Sequence, residues 1–485
     1  MIWPATPVRV ADRSTLGHVN QIVIIGGGPA GYEAALVAAQ LGAAVTVVER
    51  EGAGGACVLH DCVPSKTLIA SSDVMTAYRD TEQFGIRGVS LDTVDVDAAV
   101  VNARVKRLAS AQSVDIHEKL TKAGVTFVNG TGRLGDDTVG HRHRVVVSPH
   151  GGDSPYTIDA TAVLVATGAT PRVLPAARPD GERILDWRQV YDLSGLPRHL
   201  IVVGSGVTGA EFASAYLAMG VDVTLVSSRD RVMPTEDPDA AMVIEKVFRT
   251  RGMKILNHAR ASAARRTADG VVVELADGRT VEGSHVLIAV GAVPNTVGLG
   301  LTEYGVEIDD GGYLSVDRVS RTNVPGVYGA GDCTGVLPLA SVAAMQGRIA
   351  MWHALGEAVS PLKLRTVASN VFTDPELASV GVSQSDVDNG VVPARTVMLP
   401  LAGNARAKMA GLHDGFVKLY CRPASGLVVG GVVVAPKASE LILPIAMAVE
   451  NHLSVDQLAH TITIYPSLSG SIAEAARQLM RHEFD

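Results

Sequence analysis

Twice along this chain a short run of apolar residues gives way to a cluster of glycines, an alanine-rich stretch and a second apolar run. The first copy spans Gln21 to Glu49 and the second His199 to Ser227. Gly26, Gly28 and Gly31 recur as Gly204, Gly206 and Gly209, and Glu33, Gly42 and Thr46 recur as Glu211, Gly220 and Thr224. Each copy reads as strand, G-x-G-x-x-G turn, helix and strand, the βαβ unit of about 30 residues that binds dinucleotides. One such motif is weak, because tight turns use the same glycines, but two in the same context are specific. The first glycine permits the turn, the second lets backbone N–H groups approach a pyrophosphate, and the third lets helix pack on strand. The helix N-terminus then adds partial positive charge. Glu49 closes the first copy, where a carboxylate accepts hydrogen bonds from a ribose 2′-OH. The second copy ends at Ser227, followed by Ser228, Arg229, Asp230 and Arg231. The two sites are therefore expected to take different dinucleotides, with Ser227, Arg229 and Arg231 suited to a 2′-phosphate.

Two further strand-to-glycine turns resemble each other, Val163-Leu-Val-Ala-Thr-Gly168 and Val286-Leu-Ile-Ala-Val-Gly291, followed by Pro171 and Pro294. They read as crossovers between one nucleotide domain and the next. The expected organisation is an extension at 1–19, a discontinuous domain at 20–160 and 286–360, an inserted domain at 161–285, and a terminal domain at 361–485. The terminal part begins with alternating strands at Val417 to Cys421 and Leu427 to Ala435, then an apolar helical segment from Ser439 to Asn451. It carries no glycine fingerprint, and one exposed apolar face there would suit a dimer interface. The fold class is α/β: two Rossmann-like domains plus an α+β terminal domain.

A length of 485 residues fits about three domains, and 47% hydrophobic against 19% charged residues is ordinary globular usage. Lys plus Arg total 42 against 50 for Asp plus Glu, a net charge of -8, which argues against a nucleic-acid partner. No apolar stretch reaches the roughly 18 residues of a spanning helix. Residues 1–19 include Arg9 and Arg13 but no continuous apolar core, so they do not read as a secretory signal. A cytoplasmic protein with a flexible N-terminal extension is expected. Four cysteines exclude a disulfide-stapled scaffold and make any close pair a redox or metal candidate.

Such a pair lies in Gly54-Gly-Ala-Cys57-Val-Leu-His-Asp-Cys62-Val-Pro-Ser-Lys66. A C-x4-C spacing at a helix start can close a small disulfide loop, and a helix N-terminus would lower a thiol pKa. Inert buried thiols and a zinc site are the alternatives. Zinc wants four ligands, and Cys57, His60 and Cys62 have no clear fourth nearby.

With these motifs in order, the chain resembles the class I pyridine nucleotide-disulfide oxidoreductases, the family of dihydrolipoamide dehydrogenase, glutathione reductase and mercuric reductase. The resemblance runs from about residue 20 to 480. It rests on the first glycine motif, G-G-x-C-x4-C-x-P-S-K, Ala166-Thr-Gly-Ala-Thr-Pro-Arg172, Thr322-Asn-Val-Pro-Gly-Val-Tyr-Gly-Ala-Gly-Asp332 and Phe372-Thr-Asp-Pro-Glu-Leu-Ala-Ser-Val-Gly381. It implies a homodimer with one FAD per subunit, reduced by NADPH or NADH. By position Cys62 resembles the flavin-proximal thiolate and Cys57 the substrate-facing thiol. Lys66 resembles the lysine near flavin N5, paired with Glu211, and Asp332 the acid that binds the ribityl or pyrophosphate part of FAD. Gly132, Thr167, Gly168, Ala340 and Gly291 join the expected cofactor-binding positions.

The departures decide the reaction. Disulfide-reducing relatives end in H-P-T-x-S-E, whose His is the acid/base for the substrate dithiol and whose Glu orients it. Here the stretch reads Tyr465-Pro-Ser-Leu-Ser-Gly470. A phenol, ordinarily titrating near 10, is a poor proton acceptor at neutral pH, and loss of positioned acid/base catalysis removes about 10²- to 10⁴-fold in rate. Quinone reduction has no such need, because the product oxygens take protons from water. His460, upstream, reads as an ordinary helix-end histidine. Mercuric reductases need further cysteines near the C-terminus, and none follows Cys421. Soluble transhydrogenases share a Y-P-T stretch but usually keep one active-site cysteine. The chain most resembles the actinobacterial subset of NAD(P)H:quinone reductases derived from dihydrolipoamide dehydrogenase. A dihydrolipoamide dehydrogenase or other disulfide reductase, and a flavin-containing redox-sensing binding protein, are the alternatives.

Overall fold

The computed structural model describes residues 19–79, 81–86, 94–139 and 142–480. The expected extension at 1–19 thus lies almost wholly outside the described residues. The chain divides into two compact units. One comprises residues up to Ala53, Asp115–Gly168 and Thr296–Pro361, and the other Gly54–Val114, Ala169–Asn295 and the chain from Leu362 onward.

In the first unit seven strands form one sheet in the order Val327–Gly329, Ala162–Val165, Gln21–Ile25, Ala44–Glu49, Thr126–Val139, Arg142–Pro149, Tyr156–Ala160. The first five pair in parallel and the last three antiparallel. Parallel strands are covered on both faces, which is why they read as unbroken apolar runs. Ile22 to Ile25 are all at most 3% exposed.

The second glycine repeat builds a five-stranded parallel sheet in the other unit, in the order Lys254–Leu256, Asp222–Val226, His199–Val203, His285–Ile288, Ile184–Asp186. A five-stranded antiparallel sheet, Ala368–Val371, Glu376–Gly381, Val428–Ala435, Phe416–Cys421 and Arg395–Pro400, forms the terminal part. The apolar segment expected as one helix is two, Ala438–Leu441 and Leu443–Glu450, with Pro444 opening the second. Leu443 and Met447, one turn apart on that helix, are 59% and 55% exposed.

The domain boundaries differ from the expected ones. Strand Ala162–Val165 belongs to the first sheet and His285–Ile288 to the second, so the inserted nucleotide fold runs Ala169–Asn295 rather than 161–285. The chain crosses only beyond each glycine, where Ala169–Pro171 pairs antiparallel with Ala292–Pro294. Each strand before such a glycine completes its own sheet and cannot also be a linker. The cysteine segment also groups with the second unit, not with the first glycine repeat.

The two glycine turns are near copies. A Cβ on Gly26 (φ +109°) would lie 2.2 Å from the Ala166 carbonyl oxygen, and one on Gly204 (φ +112°) 2.1 Å from that of Ala289. A Cβ on Gly31 or Gly209 would lie 1.9 Å from the carbonyl oxygen of Gly26 or Gly204. Gly206 instead has φ −72° and nothing within 4 Å of its Cβ position. Gly209→Ala is therefore expected to cost about 1–3 kcal/mol of unfolding free energy, and Gly206→Ala to stay within about 0.5 kcal/mol of the parent. Urea denaturation checks this, and equal destabilisation of the two variants would contradict it.

Candidate functional site

The first glycine turn closes on Glu49, which is 8% exposed. The Gly27 N–H donates to Glu49 Oε2 at 2.6 Å and the Glu51 N–H to Oε1 at 2.8 Å. A carboxylate has about four acceptor sites, so these bonds orient it and leave lone pairs for ribose hydroxyls. Gly132 backs the turn from the neighbouring strand, its Cβ position 3.3 Å from Ile25 and 3.5 Å from Val48. Thr167 and Gly168 (φ +67°) follow strand Ala162–Val165, and Ala340 opens helix Ala340–Ala354. Asp332 begins a short 3-10 turn after Gly331 (φ +81°). Its half-buried carboxylate has no hydrogen-bond partner among the described residues, and burial pushes its pKa up from the ordinary carboxylate value. A glycine turn with a braced carboxylate at its strand end, and an acid lacking a protein partner, fit the ribose, pyrophosphate and polyol parts of FAD.

In the second unit Cys57 lies in helix Gly55–Leu59 and Cys62 opens helix Cys62–Arg79. Both thiols are free and half-buried. The helix start led to an expected depressed thiol pKa. The Cys62 thiol is instead pushed up, first by its hydrogen bond to Cys57, then by burial and the Asp61 carboxylate, with Lys66 pulling the other way. A thiol that donates to the neighbouring sulfur gives up that bond when it ionises, so the contact holds the proton on Cys62.

One turn along, Lys66 Nζ meets Glu211 Oε2 at 2.8 Å, the pairing expected from the motifs. Glu211 sits on the second glycine helix with its side chain 5% exposed, and its Oε1 accepts the Phe372 N–H at 2.9 Å. The Lys66 ammonium also lies 4.7 Å from the centre of the Phe372 ring. Burial opposes the charge on Lys66, but Glu211 overcomes it and raises the pKa above its ordinary 10.5. Phe372 was missed as a site residue. Its motif was visible, but a backbone N–H reaching a distant carboxylate leaves no trace in residue types.

The second glycine turn holds one correction. Ser227 was expected to offer its hydroxyl to a phosphate, yet it is fully buried. Its Oγ accepts from Ser205 Oγ at 2.7 Å and from the Arg229 N–H at 3.1 Å. It thus repeats the bracing of Glu49 on Gly27 and has turned into the protein. Ser228 and Arg229 are exposed at the strand end, and Arg231 leans toward Asp230 at 3.6 Å. Gly291 (φ +94°) has open space at its Cβ position and its carbonyl accepts the Arg172 N–H.

Tyr465 is 85% exposed, beside Ile462 at 98% and Ile464 at 81%. Gly470 begins helix Gly470–Gln478, and a Cβ there would find its nearest neighbour, Ser467 Oγ, at 3.4 Å. His460 ends helix Val455–His460, its Nδ1 2.7 Å from the Asp456 carbonyl oxygen, as a helix-end histidine should. Among the described residues no helix is long and apolar enough to cross a membrane, and no group of three or more His, Cys, Asp or Glu could hold a metal ion.

Comparison with known proteins agrees with this geometry. The family model described as pyridine nucleotide-disulphide oxidoreductase matches residues 20–347, and its dimerisation domain matches 367–476. The NAD(P)H dehydrogenase (quinone) of Mycobacterium tuberculosis is 59% identical over 96% of this chain and 95% of its own length. The dihydrolipoyl dehydrogenase of Chlamydia pneumoniae is 32% identical over 95% of this chain and 97% of its own. The crystal structure of LpdA from Mycobacterium tuberculosis superposes with a TM-score of 0.91 at 59% identity, covering 96% of this chain and all of that one. The chain belongs to the pyridine nucleotide-disulphide oxidoreductase family.

Removing one partner of a shielded ion pair leaves a stranded charge. Lys66→Met is expected to cost about 2–3 kcal/mol, below the range for fully buried pairs because the Lys66 side chain is 31% exposed. Adding Glu211→Gln should restore most of that. The raised lysine pKa makes the contribution present below the unfolded value of 10.5 and lost as pH rises through the folded one. Double-mutant cycles by urea unfolding should thus give the same coupling at about pH 7 and about pH 9. Additive single effects would contradict the pairing.

Proposed function

We propose that this family member oxidises NAD(P)H, with NADPH favoured, and delivers the electrons to a quinone through FAD. The observation that carries the acceptor is the terminal stretch. Tyr465 and Gly470 stand where disulfide-reducing relatives have an acid/base His and its Glu. An exposed phenol with no carboxylate behind it is a poor base for a substrate dithiol, whereas a quinone takes its protons from water. A 59% identical relative named NAD(P)H dehydrogenase (quinone) supports the same reading.

FAD, when bound, is the two-electron carrier between nicotinamide and acceptor. We assign it to the first glycine turn, with Glu49 on the adenosine ribose, Gly26, Gly28 and Gly31 beside the pyrophosphate, Asp332 on the polyol, and Gly132, Thr167, Gly168 and Ala340 around it. NAD(P)H goes to the inserted fold of Ala169–Asn295, on Gly204, Gly206 and Gly209, with Gly291 alongside. The open space at Gly206 admits a pyrophosphate, and the exposed Arg229 with Ser228 and Arg231 meets a 2′-phosphate. Lys66, held charged by Glu211, supplies a fixed cation to the redox centre. The Cys57 and Cys62 pair, intact and in hydrogen-bond contact, favours a second reading as a dihydrolipoamide dehydrogenase.

The working form is a homodimer built on the domain from 361 to 485. Exposed Ile462, Ile464 and Tyr465 form its apolar edge, and Tyr465 faces the Cys57 side of the other subunit's site. An aromatic ring there would line a slot for a flat quinone. A reducing compartment, the cytoplasm, suits four free thiols.

The test restores the missing pair. Gly470 accepts a side chain without collision, and an acid in the first turn of a helix is favourable. Tyr465→His with Gly470→Glu is expected to raise lipoamide turnover by about tenfold or more while menadione turnover stays within about twofold. Unchanged lipoamide turnover in the folded double variant would show that the acid/base deficiency is not what selects the acceptor.

A further inference from the structure

Lys418 lies in the strand Phe416–Cys421 of the terminal sheet and is 1% exposed, yet it takes no part in the redox centre. Strand alternation puts Phe416, Lys418 and Tyr420 on one face and Val417, Leu419 and Cys421 on the other. The first face packs into the core that holds Leu225, Val232, Met233, Ala240 and Ile244 of the inserted nucleotide fold. A lysine in such a face needs a reason, because a buried ammonium is tolerated only when paired.

Its carboxylate partners sit at one place, the start of helix Pro238–Thr250, and Gln384 reaches it from helix Gln384–Asp388. Lys418 Nζ donates to Asp237 Oδ2 at 2.8 Å and Oδ1 at 3.0 Å, to Asp239, and to Gln384 Oε1 at 3.3 Å. The Tyr420 hydroxyl donates to the same Asp237 Oδ2 at 3.0 Å. Asp237 is also the helix cap, its Oδ1 accepting the N–H groups of Asp239 and Ala240. Residues 228–236, the loop that carries Arg229 and Arg231, therefore re-enter regular structure at a carboxylate gripped from the terminal sheet.

The loop is held at several points, and this grip fixes the helix that supplies one of them. Met233 is buried with φ +48°, a left-handed conformation that a non-glycine residue keeps only where its surroundings impose it. One constraint is the bond from its N–H to the Ser205 carbonyl oxygen in the glycine turn, at 2.8 Å. Another is the neighbouring Val232 N–H, which donates at 3.2 Å to Glu245 Oε2 on the helix that Asp237 caps. Arg229 is held separately, its N–H on Ser227 Oγ and its carbonyl oxygen on the His258 N–H. Released at Asp237, that helix start would shift, and with it the hold on the stretch from Arg231 to Met233.

We propose that Lys418 is a positioning residue for the 2′-phosphate of NADPH: from the terminal sheet it fixes Asp237, and through the helix that Asp237 caps the end of the loop that presents Arg231. The inference rests on the NADPH assignment above. Pyrophosphate binding depends on Gly204 to Gly209, which the loop meets through the Met233 bond to Ser205, so the effect falls mainly on the 2′-phosphate.

The test measures dissociation constants of adenosine 2′,5′-bisphosphate and AMP by calorimetry on FAD-loaded protein. Lys418→Met is expected to weaken the bisphosphate by about tenfold and AMP by less than about twofold, with KM for NADPH rising and kcat held. Should the stranded Asp237 prevent folding, Lys418→Met with Asp237→Asn keeps a competent helix cap and removes the buried charge. Folded variants that bind the bisphosphate like the parent, or lose both ligands equally, would overturn the proposal. Wild-type protein that binds both ligands equally would instead overturn the NADPH assignment, and the proposal would fall with it.

Discussion

The molecule depends on a contact that only glycine allows: at two turns the backbone runs so close to a neighbouring carbonyl oxygen that no Cβ fits between. Gly26 crosses Ala166 and Gly204 crosses Ala289, and in both turns the third glycine lies on the carbonyl of the first. This approach brings a helix N-terminus to the end of a parallel sheet and leaves its N–H groups facing outward. Each turn is then braced by its strand-end residue. Glu49 takes the Gly27 N–H, and Ser227 takes the Ser205 hydroxyl at the equivalent position. One geometry thus recurs in two turns, and the bracing residue distinguishes them, since Glu49 keeps further acceptors while Ser227 is spent inside the protein.

The same repeat supplies the ion pair beside the two cysteines. Glu33 and Glu211 occupy equivalent positions on the two glycine helices, and each holds a cation. Glu33 pairs with Arg348 at 2.7 Å, and Glu211 with Lys66 at 2.8 Å beside the thiols. A scaffold ion pair in the first copy has become, in the second, a device that keeps a lysine charged near Cys62. The Phe372 N–H on Glu211 and the Phe372 ring near the ammonium complete it. The chain keeps this machinery yet ends in Tyr465 and Gly470, which separates moving electrons from handling a dithiol's protons.

Features that follow from short-range constraint could be read before any coordinates. The glycine repeat, the strands feeding it, the paired cysteines and the helix-end character of His460 each depend on a few adjacent residues. The Lys66–Glu211 pair followed from family motifs. What could not be read depends on contacts between distant segments or on which way a side chain turns. Ser227 is polar and at a strand end, so inward and outward orientations look the same in sequence. The crossovers at Gly168 and Gly291 were recognised, but which sheet owned each preceding strand was settled only by pairing. Lys418 drew no reading from the strand Val417 to Cys421, because its partner Asp237 lies far away in the chain.

The central claim is that the acceptor is chosen by the absence of an acid/base pair in the terminal stretch while the electron-carrying parts are intact. Steady-state oxidation of NADPH by purified wild-type protein at neutral pH, with menadione and with lipoamide as alternative acceptors, tests it most directly. The account predicts kcat/KM for the quinone at least about 100-fold above that for lipoamide. Comparable values for the two acceptors would contradict it.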